Sequence, residues 1–466
     1  MSKTRQSISI ALTLAAFGLI GCGEGAEDPA RDEADAPKFV STYAPLPREA
    51  TVIEHATILT GTGERIDDGM LIMRDGKIEA VGAGLEAPAD LARIDAEGKW
   101  VTPGIIDNHS HLGVYPSPAV QAVSDGNEIS DPNTAQVWAE HAVWPQDPGF
   151  AAALAGGVTT LQILPGSANL FGGRSVVLKN VPARTVQEMK FPAAPQGLKM
   201  ACGENPKRVY GVDRLVAPSS RMGNVAGYRQ AWAKAQDYMK KQDAYESGTT
   251  EEAPETDLQL ETLAGVLRGE IRVHNHCYRA DEMAVMLDVA KEFGYHIASF
   301  HHAVEAYKIA DLLAESGTCA SMWADWWGFK LEAFDAVREN IAMVDAAGGC
   351  AIVHSDSDVG IQRLNQEAAK VIAAAQRAGI EVDRADAMRW LSLNPAKSLG
   401  IDERTGSLEA GKMGDVVIWD GDPFSVYTKA EQVYIDGALV YDRNDPAMQP
   451  VSDFELGLVS LNGEGR

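Results

Sequence analysis

The chain has 466 residues, enough for two or three domains, and with 45% hydrophobic and 23% charged residues it has the composition of an ordinary globular protein with an ample core. Its formal net charge of −25 argues against nucleic acid or an anionic membrane surface as a partner, because like charges repel. Composition excludes these partners and does not indicate a substrate.

The first 22 residues have the pattern of a secretion signal. A basic start precedes an apolar run, residues 8–20, that is too short to span a bilayer comfortably and is followed by Gly21 and Cys22. This resembles a bacterial lipoprotein signal, which implies that Cys22 is lipidated; a plain secretory signal with an incidental cysteine is the alternative. Residues 23–48 predict a flexible tether. We therefore expect an exported protein, anchored to the cell envelope on the periplasmic side or at the outer membrane, that meets the membrane only through Cys22.

The other four cysteines are widely spaced. They are Cys202, Cys277, Cys319 and Cys350. None forms a C-x-x-C pattern, so the sequence contains no zinc-finger or dithiol redox motif. Export permits disulfides, but the spacing favours single buried residues in strands.

Two β-rich segments flank the centre of the chain. Residues 51–59 alternate as a strand, and residues 69–82 predict a hairpin closed by Asp75 and Gly76, a strong turn pair. The same patterning returns in residues 406–419 and 433–441. We expect the segments 49–102 and 403–446 to pair into one composite β-sandwich, followed by a loosely ordered tail over residues 447–466.

Residues 103–402 alternate apolar strands with helices. The predicted strands are 104–109, 158–164, 175–179, 197–202, 271–274, 296–300, 318–323 and 350–354. The predicted helices are 150–155, 228–268 with a loop at 242–255, 280–293, 305–316, 333–347, 361–378 and 384–399. Strands joined through helices indicate a parallel sheet, and eight such units predict an α/β fold, the (β/α)8 TIM barrel.

Histidines concentrate at the ends of these strands. Residues i and i+2 of a strand point to the same side, so His109 and His111 can converge on one point. Seven of the ten histidines follow this distribution: His109, His111, His274, His276, His301, His302 and His354. Strand ends supply the active sites of such barrels, and neutral imidazole is a good ligand for divalent transition metals. The distribution predicts a metal site.

The motifs around these histidines resemble those of the amidohydrolase superfamily, and more closely its imidazolonepropionase-like members, a group that includes dipeptidases acting on Xaa-Pro substrates. The shared motifs are residues 101–111, 155–160, 302–307, 394–396 and 406–417, within a resemblance that covers residues 50–445. They are specific for the superfamily and not for a substrate. The resemblance implies one or two divalent cations, with zinc expected and manganese or iron as alternatives.

The resemblance also implies a ligand set. The metal ligands would be His109, His111, Lys199, His274, His302 and Asp356, with Asp356 also acting as the general base. Lys199 would have to be carboxylated to a carbamate, since an ammonium cannot ligate a metal; Glu204 is the alternative. His302 is favoured over His301, which is expected on the opposite face, and Asp356 over Asp358.

Further residues are candidates for contact with substrate. His276 lies on the same side of its strand as His274, and His354 precedes Asp356 by two residues. Arg174 ends a Gly-rich stretch and could clamp a carboxylate, although the stretch is also typical of an ordinary connecting loop.

The sequence thus predicts a metal-dependent amidohydrolase that cleaves an amide, peptide or cyclic-amide C–N bond in a small molecule or short peptide. The alternative is a catalytically inactive surface lipoprotein that uses the barrel to bind a ligand. The number and identity of the metals, the substrate and the oligomeric state stay open.

Overall fold

The computed structural model describes residues 39–449, so the predicted signal, Cys22, most of the tether and most of the tail lie outside the described residues. Contacts divide the chain into residues 1–40 and 41–466, and the fold described below belongs to the second unit. Between residues 39 and 449, no helix has both the length and the apolar character needed to cross a membrane.

Eight strands form the barrel sheet, in the same order in space as in the chain. Numbered after the five strands that precede them, they are β6 Ile105–Ser110, β7 Val158–Ile163, β8 Phe171–Lys179, β9 Gln196–Ala201, β10 Ile271–His276, β11 Ile297–His301, β12 Cys319–Met322 and β13 Ala351–Val353. The two ends of the sheet approach each other, and the amide of Asp356, just after β13, donates to the carbonyl of His109 on β6 at 3.1 Å. The predicted TIM barrel is confirmed.

One strand departs from the predicted parallel arrangement. β8 runs antiparallel to both β7 and β9, whereas the other neighbouring pairs in the barrel sheet are parallel. The connection from β7 to β8 is residues 164–170, which is too short for the crossover that parallel strands require. The prediction of eight parallel units was therefore wrong at the third strand.

Helices surround the barrel. They are α1 Pro148–Ala155, α2 Val186–Met189, α3 Glu204–Lys207, α4 Arg221–Glu246, α5 Leu258–Leu267, α6 Ala280–Phe293, α7 Ala310–Ser316, α8 Asn340–Ala346, α9 Leu364–Ala378, α10 Arg384–Met388 and α11 Leu393–Leu399. The long region predicted around residues 228–268 is two helices, and the predicted helix over 384–399 is broken into short pieces.

The flanking segments share one eight-stranded sheet. Its strands are β1 Thr51–Leu59, β2 Arg65–Arg74, β3 Lys77–Ala83, β4 Ala92–Asp95, β5 Trp100–Pro103, β14 Val416–Trp419, β15 Ala430–Ile435 and β16 Ala438–Asp442. The N- and C-terminal parts join where β5 pairs antiparallel with β14. The sheet is curved, so that the turn at Gly76 lies against the turn at Gly437. The amide of Gly437 donates a hydrogen bond to the carbonyl of Gly414.

The four described cysteines form two disulfides, Cys202–Cys277 and Cys319–Cys350. The expectation of single buried cysteines was wrong. Each pair lies on neighbouring strands at the same level of the barrel, with Cα–Cα distances of 5.3 Å and 4.4 Å. The paired cysteines are 75 and 31 residues apart in the chain, and they come close together only when the strands pair.

Candidate metal centre

Strand β6 carries the first two histidines into the barrel. All six of its residues are buried, and Gly104 just before it lets the strand approach β7, since a Cβ there would lie 2.1 Å from Thr159 Oγ1. In the middle of the strand, the Asp107 carboxylate accepts hydrogen bonds from the His109 amide at 3.1 Å and from the Ser355 hydroxyl. The fully buried Asp107 thus joins β6 to the segment that carries Asp356.

Four predicted ligands converge at the end of β6. Nε2 of His109 lies 3.3 Å from Nε2 of His111, and both lie close to Asp356 Oδ1, at 3.4 and 3.2 Å. Lys199 Nζ is 3.4 Å from His109 Nε2. These four atoms, called the first cluster below, approach one another from three different strand ends.

A second pair of nitrogens faces each other deeper in the barrel. Nδ1 of His274 lies 3.0 Å from Nε2 of His301, and Nδ1 of His301 is 2.8 Å from Nδ1 of His109. Both side chains are fully buried. His301 therefore does not face away from the site as the sequence predicted.

His302 and His354 complete a set of six histidines, called the histidine group below. Its other members are His109, His111, His274 and His301. Nδ1 of His302 lies 2.9 Å from Nε2 of His354 and 3.7 Å from Asp356 Oδ2. The backbone of His302 has φ 64°, in the left-handed region, which breaks the strand alternation after His301. Because of that turn, two consecutive histidines contact the same group of side chains. The Trp323 ring stacks on both His302 and His354, with ring centroids 4.4 and 5.2 Å apart.

Burial sets the protonation of this group. It lowers the pKa of six buried histidines, to about 3 for His274 and about 4 for His354, because a charged imidazole is poorly solvated inside the barrel; the other four are His109, His276, His301 and His302. Burial likewise lowers the pKa of Lys199 to about 7. Neutral imidazole is the form that ligates metal, and a neutral amine is the form that can be carboxylated.

The carboxyl of Asp356, unlike the buried imidazoles around it, keeps its charge although it is mostly buried. Burial alone would raise the pKa of its carboxyl, but the imidazoles of His302 and His111 hold that pKa well below its usual value. Its backbone has φ 50°, a left-handed conformation that is uncommon for residues other than glycine, although aspartate adopts it more readily than most. The carboxylate therefore stays ionised and available at neutral pH.

Three predicted alternatives lie elsewhere. Glu204 is 3.7 Å from Lys330, and the Asp358 carboxylate accepts from the amide of Val359 on an exposed turn. Arg174, on β8, donates to Thr262 Oγ1 and Gln196 Oε1 and lies over the Trp138 ring, so its guanidinium is engaged by neighbouring elements of the barrel wall. The structure gives no support to its proposed contact with substrate.

His276 is buried beside the histidine group, with its ring centroid 4.7 Å from that of His302. Its Nε2 lies 3.3 Å from the side-chain nitrogen of Asn205, in the segment that follows β9. Lys330, whose ammonium donates to the Asn205 oxygen at 3.2 Å, was not among the predicted neighbours of the site. No local motif marks these positions, because their loops meet only in the folded barrel.

The donor set fits one or two divalent metal ions. Nitrogen and carboxylate atoms of His109, His111 and Asp356 all lie within 4.8 Å of one another, as do ring nitrogens of His109, His302 and His354. Within residues 39–449, the buried atoms His274 Nε2 and His354 Nδ1 have no hydrogen-bond partner. Neutral buried imidazoles with converging nitrogens beside an ionised carboxylate suit zinc or a similar transition metal.

Comparison with known proteins agrees with this fold and site. The sequence model of the amidohydrolase family matches residues 100–451, and the chain therefore belongs to that family. The chain is a hydrolase of the amidohydrolase superfamily, and its barrel with a flanking sheet agrees with that fold.

Individual relatives span most of the described chain. Amidohydrolase tasK of Hapsidospora irregularis is 33% identical over 82% of this chain, which spans 40% of that longer protein. An imidazolonepropionase of Mesorhizobium japonicum is 25% identical over 83% of this chain and 93% of its own length. The crystal structure of an amidohydrolase from Thermotoga maritima superposes with a TM-score of 0.78 at 37% identity, covering 84% of this chain and 100% of that one.

Proposed function

We propose that this hydrolase cleaves a C–N bond, in an amide, peptide or cyclic amide, of a small molecule or short peptide. The observation that carries the proposal is the first cluster, in which His109 Nε2, His111 Nε2 and Asp356 Oδ1 lie 3.2–3.4 Å apart in pairs. Such a group of two imidazoles and an ionised carboxylate is suited to holding a divalent cation and a reacting water together.

The first cluster would hold one metal ion, with Lys199 approaching it from β9. His274 and His301 would hold a second ion, a revision of the sequence prediction that is supported by the 3.0 Å between their facing nitrogens. A bound divalent metal supplies Lewis acidity and lowers the pKa of water toward neutrality. Lys199 would ligate as a carbamate, and its amine suits carboxylation because it is buried and its pKa is lowered to about 7.

Asp356 would move the proton. Its carboxylate is ionised at neutral pH, and its two oxygens face different partners: Oδ1 faces His111 at 3.2 Å and Oδ2 faces His302 at 3.7 Å. It accepts a proton from the attacking water and then delivers that proton to the leaving nitrogen, so that one residue serves as base and then acid. The imidazoles around it stabilise the carboxylate between turnovers.

The substrate range rests on the relatives. One is named imidazolonepropionase and another 5-methylthioadenosine/S-adenosylhomocysteine deaminase, both of which are names of enzymes acting on small molecules. An inactive binding lipoprotein would be expected to lack part of the ligand set, and among residues 39–449 every predicted ligand position lies in or beside the histidine group.

Metal analysis combined with a hydrolysis screen tests this proposal. Purified wild type is assayed for bound metal and for turnover of a panel of dipeptides, N-acyl amino acids and cyclic amides. We expect stoichiometric metal and activity in the wild type. Asp356→Asn should lower kcat by about 10²–10⁴-fold. His55→Ala, at an exposed histidine paired with Asp95, is the control. A His109→Ala variant as active as wild type would contradict the proposal.

We further propose that the protein is exported and anchored to the membrane through Cys22. Two disulfides within the described residues support export, because disulfides persist in oxidising compartments. Expression of the full chain in a Gram-negative host should place it in the membrane fraction, and Cys22→Ala should release it or block its processing. Equal cytoplasmic recovery of both forms would contradict this proposal.

A further inference from the structure

Asn205 connects two parts of the molecule beside the histidine group. Its side-chain nitrogen donates to Ser167 Oγ at 2.9 Å and lies 3.3 Å from Nε2 of His276. Its oxygen accepts from Lys330 Nζ at 3.2 Å. The amide therefore links the loop after β7, the end of β10 and the segment after β12.

Lys330 determines which way this amide faces. An ammonium group only donates hydrogen bonds, so the atom of Asn205 that faces it must be the oxygen. The ammonium is itself held in place, at 3.7 Å from Glu204, 3.6 Å from Glu332 and 3.8 Å from the centre of the Tyr278 ring. The amide nitrogen must consequently be the atom that faces His276.

That orientation fixes the hydrogen-bonding role of His276. Because the Asn205 nitrogen is a donor, Nε2 of His276 must act as the acceptor, and the proton of the neutral imidazole then resides on Nδ1. Nδ1 of His276 is buried and has no hydrogen-bond partner among residues 39–449. A buried N–H without a partner is uncommon in a folded protein and calls for an occupant.

We propose that Asn205 is a positioning residue: by donating to Nε2 of His276, it keeps the imidazole proton on Nδ1, where it serves as a hydrogen-bond donor to a polar atom of the substrate. The inference rests on the proposed function, since it requires a substrate in the histidine group. It assigns Lys330 the role of orienting the Asn205 amide.

The two segments that meet at this contact are covalently joined. Cys202, which follows β9, is bonded to Cys277, the residue after His276. Asn205 follows Cys202 by three residues, so the disulfide restricts the separation of the donor and the acceptor. Glu332 adds a second restraint by accepting a hydrogen bond from the Glu204 amide at 2.8 Å.

Two substitutions at one position separate positioning from packing. Asn205→Asp has nearly the same shape and keeps an acceptor for Lys330, but it presents only acceptors to His276, which favours the opposite tautomer. Asn205→Leu removes the hydrogen bonds altogether. We expect both to retain the metal content of the wild type and to lose about 10–100-fold in kcat/KM for the compound that wild type hydrolyses fastest.

The matched control is Ser167→Ala, which removes the other acceptor of the Asn205 nitrogen and leaves the His276 contact. Its kcat/KM should change by less than about threefold. If Asn205 served packing alone, the isosteric Asn205→Asp would reduce kcat/KM much less than Asn205→Leu.

The tautomer can be read without turnover. In zinc-loaded protein labelled with ¹⁵N-histidine, the His276 signals are assigned by their loss in His276→Gln, and their shifts report which nitrogen is protonated. We expect Nδ1 protonated in wild type and Nε2 protonated in Asn205→Asp. A wild-type proton on Nε2, or an unchanged tautomer with unchanged kcat/KM in Asn205→Asp, would overturn the inference. If the tautomer is as stated and wild type hydrolyses nothing in the panel, the proposed function fails and the positioning of His276 by Asn205 stands.

Discussion

His301 and His302 are adjacent in the chain but have different partners. His301 lies between His109 and His274, whereas His302 faces His354 and Asp356. We expect His301→Ala to lose roughly half of the bound metal, because it removes one of the two nitrogens of the second pair. His302→Ala is its matched control and should keep the metal. Elemental analysis of both variants measures the bound metal and shows which histidine is the ligand. The opposite pattern would make His302 the ligand, as the sequence predicted.

The sequence could locate the histidines more easily than their partners. Spacing by two residues correctly predicted that His109 and His111 converge. Strand alternation placed His301 and His302 on opposite faces, which was wrong because the left-handed backbone at His302 turns both toward the site. Asn205 and Lys330 were not predictable as neighbours, since their contact joins loops 125 residues apart in the chain.

At the scale of elements, β6 can lie close to β7 only because Gly104 has no side chain. A Cβ at this position would lie 2.1 Å from Thr159 Oγ1, and Thr159 is fully buried and cannot move aside. Gly104→Ala should therefore destabilise the protein by about 1–3 kcal/mol, measured by urea unfolding. Gly82→Ala, where a new Cβ would find its nearest neighbour at 3.7 Å, is the control. Equal stability of the two variants would show that the close approach is dispensable.

The pairing of strands shows where sequence reasoning succeeded and where it stopped. Asp75 and Gly76 predicted the β2–β3 hairpin, because their turn preference is local. The direction of β8 was missed, although the short connection over residues 164–170 already excluded a crossover. Strand periodicity specifies which face is buried and carries no information on whether neighbours run parallel.

The disulfide between Cys202 and Cys277 ties the ends of β9 and β10. It closes a long loop, since the two cysteines are 75 residues apart. Replacing both by alanine should lower the free energy of unfolding by about 2–5 kcal/mol. The comparison is unfolding of wild type and variant by urea without reductant. Reductant should lower the stability of the wild type and have a smaller effect on the variant. Insensitivity of the wild type to reductant would argue against the bond.

At the scale of the whole molecule, a buried ion pair joins the barrel to the flanking sheet. Lys179, at the end of β8, is fully buried and lies 3.4 Å from Asp415 and 2.9 Å from Asp436, which belong to the C-terminal flanking segment. Phe191 and Tyr43 place their rings 4.9 and 5.6 Å from the ammonium. The chain thus connects its two sheets through charge as well as through the continuous backbone from β5 to β6.

Lys179→Met should be strongly destabilising, by about 3–5 kcal/mol, because it leaves two carboxylates without their cation in the interior. Lys240→Met, at an exposed lysine 3.3 Å from Asp237, is the control and should cost about 0–1 kcal/mol. Urea unfolding of both variants against wild type provides the measurement. A loss as small as that of the control would show that the buried carboxylates are stabilised by other groups.

The cost of Lys179→Met should also depend on pH. Burial raises the pKa of Asp415, and the Lys179 ammonium opposes that rise. A carboxyl whose folded pKa lies above its unfolded value contributes its full stability below the unfolded pKa and loses it as the pH rises through the folded pKa. Removing the ammonium raises the folded pKa further, so the deficit of the variant should grow with rising pH over the range above the folded pKa of Asp415 in the wild type. A deficit independent of pH would mean that Asp415 does not ionise in this range and that lost packing of the lysine side chain accounts for the destabilisation.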